Sequence, residues 1–128
     1  PRDWSSDVCS SDLHRHARAN AVTASIDRVD FLKPVYVGNA LILNARLNAV
    51  RKSSMEIEVR VEAEDLIKGT RTLTGTALVT SVALDEDGRP TPVPQLVLKT
   101  KEEKTRFAQG VRRMNQRIRE KKRNKQKN

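Results

Sequence analysis

This 128-residue sequence predicts an α+β architecture, an antiparallel sheet followed by one basic amphipathic helix. Three observations carry the prediction. Four segments between residues 22 and 84 alternate apolar and polar side chains with period 2. Residues 101 to 123 change to a helical period. The charge divides unequally between the two regions: Lys99 to Asn128 hold 13 basic against 3 acidic residues, whereas the rest of the chain holds 12 against 13. A net charge of +9 therefore describes a neutral body with a basic tail.

Taken in order, Val22, Ala24 and Ile26 oppose Thr23, Ser25 and Asp27 in the first segment. Leu41, Leu43, Ala45, Leu47 and Ala49 oppose Ile42, Asn44, Arg46 and Asn48 in the second. The third is the most regular, with Met55, Ile57, Val59, Val61 and Ala63 against Glu56, Glu58, Arg60, Glu62 and Glu64. The fourth runs from Arg71 to Leu84 and is rich in Thr and Val. Such alternation gives each strand one buried and one wetter face. Lys33-Pro34, Gly38-Asn39, Arg51-Lys52-Ser53 and Lys68-Gly69 supply the turns between segments. Asp85 to Pro94, with three prolines, reads as a connector.

In the terminal region Phe107, Val111, Met114 and Ile118 are spaced 4, 3 and 4, which places them on one helical face. Glu102 and Glu103 fall in the first turn and Arg119, Lys121, Lys122 and Arg123 near the end, as the helix dipole favours. The stripe is expected to dock, with the basic side chains around the other faces and the last residues frayed. Asp27 and Asp30, three apart on a strand, are expected on opposite sides, with Asp27-Arg28 and Asp30 in structural ion pairs near an interface.

Residues 1 to 13 have neither period. Asp3 to Leu13 resemble, codon for codon, a translated short-read sequencing adapter, and this stretch is set aside as a scar. It holds the only Trp and the only Cys, so no disulfide framework or cysteine-based zinc site is expected. No apolar run of membrane-spanning length is present, and a cytoplasmic setting is the expectation. His14 and His16, the only histidines, read as surface or helix-end residues. The sequence contains no Gly-x-Ser-x-Gly elbow, phosphate loop or His/Asp/Glu cluster.

The run Val22-Thr-Ala-Ser-Ile-Asp-Arg-Val-Asp-Phe-Leu-Lys-Pro34, then Val37-Gly-Asn39, Ser53-Ser-Met-Glu-Ile-Glu-Val59 and Ala83-Leu-Asp-Glu-Asp-Gly-Arg-Pro90, resembles the second half of a hotdog-fold acyl-CoA thioesterase of the cytosolic long-chain acyl-CoA hydrolase family. The likeness covers roughly residues 14 to 125. It divides the chain into the scar at 1–13, a partial hotdog domain at 14–98 and a basic helix with its tail at 99–128.

The resemblance implies an antiparallel sheet whose first strand and most of whose central helix would precede His14, with about His14 to Ala19 as the helix's last turn. The catalytic Asp or Glu would lie on that preceding segment, so no catalytic residue is assigned within the chain. Loss of such a helix removes more apolar burial than the ~5–15 kcal/mol that holds a small domain together, so the piece alone is expected to be unstable and inactive. No metal or cofactor is implied; coenzyme A is substrate and product.

By the same resemblance Thr23, Ala24 and Ser25, with Lys52, Ser53, Ser54 and Met55, correspond to positions lining the path of coenzyme A. Chemically, Lys52 offers a cation, and the serines and backbone N–H groups offer donors to phosphate oxygens. A plain hairpin turn is the structural reading of Lys-Ser-Ser. Fatty acyl-CoA hydrolysis is the expected activity, in a homo-oligomer that is a dimer or a trimer of dimers. Two other classes compete with it: a non-catalytic hotdog ligand-binding domain, and a nucleic-acid-binding protein built on the basic tail. The tail has a single aromatic, Phe107, inside the apolar stripe, so it offers no stacking platform for bases and nucleic acid is not the expected partner.

Overall fold

The computed structural model describes residues 20–127. Strands β1 (Asn20–Phe31), β2 (Ala40–Val50), β3 (Ser54–Glu64) and β4 (Arg71–Leu84) are followed by helix α1 (Lys101–Lys127). All strand pairs are antiparallel and the sheet order is β1-β4-β3-β2. The four alternating segments thus become four strands, and the fourth spans Arg71 to Leu84 as read. The helix continues to Lys127, past the expected end at 123. The scar stretch and the His14–Ala19 helix remnant lie outside the described residues.

Local chemistry sets the turns. Asn39 N–H donates to the Tyr36 carbonyl at 3.1 Å across a turn whose third residue, Gly38, has φ of 97°, a conformation that costs a side-chain-bearing residue. In the β3–β4 hairpin, Asp65 Oδ1 accepts from the Ile67 and Lys68 amides at 2.9 and 3.1 Å. These bonds hold the Asp65 carboxyl below its ordinary range. Thr100 caps α1, accepting from the Glu103 amide at 3.1 Å, while Glu103 accepts from the Lys99 amide at 3.2 Å.

Odd-numbered β3 residues form the core. Met55 and Ile57 pack with Ala45, Val50, Ala83 and Val93, with Leu47, Val59 and Leu96 against them. Val93 belongs to the connector, which therefore does more than link. Thr91 N–H donates to the Ala83 carbonyl and Val93 N–H to the Lys52 carbonyl, both at 2.9 Å, and this draws the chain back over the sheet end. Farther along, Ile26, Val29, Phe31, Leu41 and Leu43 remain between 40 and 88 % exposed, so apolar cover reaches only part of the sheet.

Strict alternation fails where strands bulge. In β1, Thr23 faces Ser81 and Ser25 faces Thr80, so Ala24 is an extra residue, and a second shift leaves Asp27 between Ile26 and Arg28. Val22 consequently lies opposite Val82 and Ile26 opposite Val79, on different faces rather than one. The second bulge also corrects the reading of Asp27 and Asp30. Asp27 meets Arg117 of α1 and Asp30 pairs across from Thr76, so both face the helix side. Both carboxylates enter ion pairs, but Arg28 pairs with Asp30 and not with its neighbour Asp27, which pairs with Arg117.

Candidate functional site

The helix covers the sheet face that the sequence marks as polar. Glu56, on the even side of β3, is 0 % exposed. A buried carboxylate is tolerated only when its charge is compensated, and here α1 supplies the compensation. Arg113 Nε donates to Glu56 Oε2 at 3.0 Å and its Nη2 to Oε1, and Arg117 Nη2 donates to Oε2 at 3.2 Å. The hydrogen bond to Glu56 raises the Arg113 pKa above its ordinary range against the opposing effect of burial.

Arg117 extends the network to β1 and β4. Its Nη2 donates to Thr80 Oγ1 at 3.2 Å and its Nε lies 3.4 Å from Asp27 Oδ1. Asp27 also accepts from Ser25 Oγ and Thr80 Oγ1, each at 2.6 Å. Arg46 and Glu58, directly opposite on β2 and β3, form a 2.7 Å ion pair on the same side.

Close approach accompanies the charge pairing. Gly110 is buried, and a Cβ placed on it would stand 2.6 Å from the Ala49 Cβ and 3.2 Å from Glu56 Oε1. Only a glycine lets this turn of the helix reach the sheet. Met114, 3 % exposed, anchors the apolar stripe, with Phe107 and Val111 half-buried and Ile118 at 40 % on the margin. The stripe docks as expected. Arg113 and Arg117, assigned to the outer faces by the sequence reading, instead point inward. Their spacing of four puts them together on one helical face, and that spacing next to Met114 was the available signal.

At its C-terminal half the helix stands over β1 and the start of β3, leaving a cleft of about 310 Å³. Three of the residues singled out from sequence, Ala24, Ser25 and Ser54, line it together. Arg117 and Lys121 from α1 line the same cleft, and neither was among the sequence candidates. Lys52 and Ser53 lie in the adjoining turn, closed by Arg51 N–H donating to the Ser54 carbonyl at 2.8 Å, with Lys52 exposed. Thr23 does not join them, since the bulge at Ala24 turns it to the opposite face with Ser81. Met55, at 0 % exposure, is enclosed in the core and does not line the cleft. Among the described residues no group of His, Cys, Asp and Glu is arranged to hold a metal ion.

Known proteins share this fold. The family profile described as Thioesterase superfamily matches residues 7–70, a span that begins inside the stretch read as a scar. The chain is 43 % identical over 111 residues to the uncharacterized acyl-CoA thioester hydrolase YkhA of Bacillus subtilis, covering 87 % of this chain and 64 % of that protein. The acyl-CoA hydrolase of Bacillus cereus superposes with a TM-score of 0.80 at 38 % identity, over 93 % of this chain and 73 % of that one.

An apo-hexameric acyl-CoA thioesterase gives 0.76 at 40 % identity, over 87 % and 71 %. The acyl-CoA hydrolase of Staphylococcus aureus, solved in complex with butyryl coenzyme A, coenzyme A and coenzyme A disulfide, gives 0.78 at 33 %, over 91 % and 71 %. The chain spans less than two thirds of the curated relative from Bacillus subtilis. By the matched family span and by structural neighbours that share sequence as well as fold, the chain belongs to the thioesterase superfamily, with its hotdog fold.

Proposed function

We propose that the chain is the sheet and C-terminal helix of an acyl-CoA thioesterase, which hydrolyses fatty acyl-CoA to the free acid and coenzyme A. The observation that carries the reading is the cleft in which Ala24, Ser25 and Ser54 converge beside the Lys52 turn, in a chain 33 % identical to a hydrolase solved with coenzyme A. In the reaction water adds to the thioester carbonyl, the C–S bond breaks, and the thiolate leaves and takes up a proton. The present residues bind and orient: Lys52 and the serines meet the phosphates, while the catalytic Asp or Glu belongs to the segment expected before His14. Glu56 and Asp27, the enclosed carboxylates of the helix side, are committed to guanidinium partners and do not serve as base.

The same proposal includes a homo-oligomer, assembled as a dimer or a trimer of dimers, supported by the likeness to a hexameric thioesterase. It also places the protein in the cytoplasm, supported by the 39 % identity over 98 residues to the cytosolic acyl coenzyme A thioester hydrolase of Rattus norvegicus. Residues 1–13 remain proposed as a non-native scar, with 14–98 as the partial hotdog domain and 99–128 as its helix and tail. The nucleic-acid reading loses weight because Arg113 and Arg117 are spent on Glu56 and Asp27.

Thiol release from a long-chain acyl-CoA, followed with a thiol reagent, tests the proposal in the chain joined to the N-terminal segment of a relative. Turnover is expected. Coenzyme A binding without turnover would favour the non-catalytic ligand-binding reading, and neither binding nor turnover would overturn both.

A further inference from the structure

We propose that the outer face of α1 is a docking surface for an anionic lipid bilayer, and that a ridge of six cations, Lys101, Lys104, Arg112, Arg119, Lys122 and Arg123, holds the protein on it. The choice of lipid over other polyanions rests on the thioesterase reading, whereas the ridge rests on geometry.

All six side chains are exposed. At 3.6 residues per turn they fall within an arc of about 100°, shared with the neutral Thr105, Ala108 and Asn115. Glu102 and Glu120 fall outside that arc, and Glu103 turns back to the Lys99 amide. The apolar stripe is turned to the sheet, as are Arg113 and Arg117, which meet Glu56. Most of the exposed charge of the helix is thereby sorted to one side. From Lys101 to Arg123 the ridge runs about 33 Å at 1.5 Å per residue, a straight row that suits a flat surface.

Electrostatics and the substrate favour a bilayer. Each Lys or Arg close to an anionic leaflet strengthens attachment roughly fivefold. The ridge carries no apolar side chain larger than Ala108, and among the described residues no helix is long and apolar enough to cross a membrane. Contact is therefore peripheral, electrostatic and sensitive to salt. Bases find no aromatic on the ridge to stack upon, because Phe107 lies in the stripe against the sheet. The rest of the chain, with 12 basic and 13 acidic residues, offers no comparable excess of positive charge. A long-chain acyl-CoA is an amphiphile whose chain partitions into the bilayer while its coenzyme A group stays in water. A protein held at that surface by its helix meets the substrate where it collects.

The test sediments the full chain with phosphatidylcholine vesicles made with and without phosphatidylserine, at physiological salt. Two triple variants carry the same change of charge. One is Arg112→Glu with Arg119→Glu and Arg123→Glu on the ridge; the other is Lys33→Glu with Lys68→Glu and Arg89→Glu, exposed cations of the body. Circular dichroism checks that both keep the wild-type melting temperature. Wild type is expected to bind only the vesicles with phosphatidylserine, the ridge variant about a hundredfold more weakly, and the body variant close to wild type. High salt is expected to release the wild-type protein, a measure that needs no variant.

Equal binding to both kinds of vesicle, binding that survives high salt, or equal weakening by both variants would overturn the docking surface. Tighter binding of a short DNA duplex than of the phosphatidylserine vesicles at the same salt would also overturn it, in favour of nucleic acid. The two readings separate in the N-terminally completed chain. Thiol release without vesicle binding would sink the docking surface and spare the thioesterase, and ridge-dependent vesicle binding without thiol release would do the reverse.

Discussion

Replacing Glu56 by Gln removes one charge from the interface between helix and sheet while keeping shape. The carboxylate is fully buried and receives three guanidinium hydrogen bonds, together with a longer contact of 3.5 Å from Asn48 Nδ2. A glutamine keeps one acceptor oxygen, but its amide N–H groups then confront guanidinium donors. Removing one partner of a buried ion pair costs about 3–5 kcal/mol. Arg113 and Arg117 retain 35 % and 23 % side-chain exposure, so both recover some hydration, and the expected loss is about 2–4 kcal/mol. For a domain of this size that is a fall in melting temperature of roughly 10–25 °C. Thermal unfolding followed by circular dichroism measures it, with Glu86→Gln in the exposed turn after β4 as a neutral control. A Glu56→Gln protein within about 0.5 kcal/mol of wild type would refute the idea that this carboxylate clamps the helix.

Three further outcomes follow from the same geometry. Gly110→Ala is expected to destabilise by about 1–2 kcal/mol in urea unfolding, because contact with Ala49 outweighs the ~1 kcal/mol that alanine gains in a helix; stabilisation would show that the helix does not approach so closely. The folded Asp65 pKa lies below its unfolded value near 3.8, so its contribution to the hairpin is complete above that value and is lost as pH falls through the lower folded pKa. A pH titration of the Ile67 amide shift should therefore have its midpoint below 3.8, and a midpoint at or above it would contradict the turn geometry. Lys52→Ala should weaken coenzyme A binding by about 1–2 kcal/mol in calorimetry as a charge-assisted phosphate contact, whereas unchanged affinity would return Lys52 to a plain turn residue.

The elements were legible because period is a local property. Met55 through Glu64 alternates without interruption, and the strand Ser54–Glu64 follows it residue for residue. The bulges were not legible, since an extra residue at Ala24 or Asp27 is defined by the hydrogen bonds of β4, more than fifty positions away. The same distance hid the role of Glu56. Among Glu58, Arg60 and Glu62 it reads as one more solvated charge, and only the arrival of Arg113 and Arg117 identifies it as buried. The candidate site was half legible for that reason. Ala24, Ser25 and Ser54 converge, Thr23 is turned away by the bulge, Met55 is claimed by the core, and the helix wall of the cleft was missed because its basic residues look like a soluble tail.

On the proposed reading the chain presents a built surface for coenzyme A and not a generic basic tail that attracts polyanions. Amide chemical-shift mapping of the isotope-labelled chain during titration with coenzyme A at physiological salt tests it most directly. Saturable shifts centred on Ala24, Ser25, Lys52, Ser53 and Ser54 are expected. Shifts confined to residues 119–128, or shifts there that a short DNA duplex reproduces equally, would contradict it.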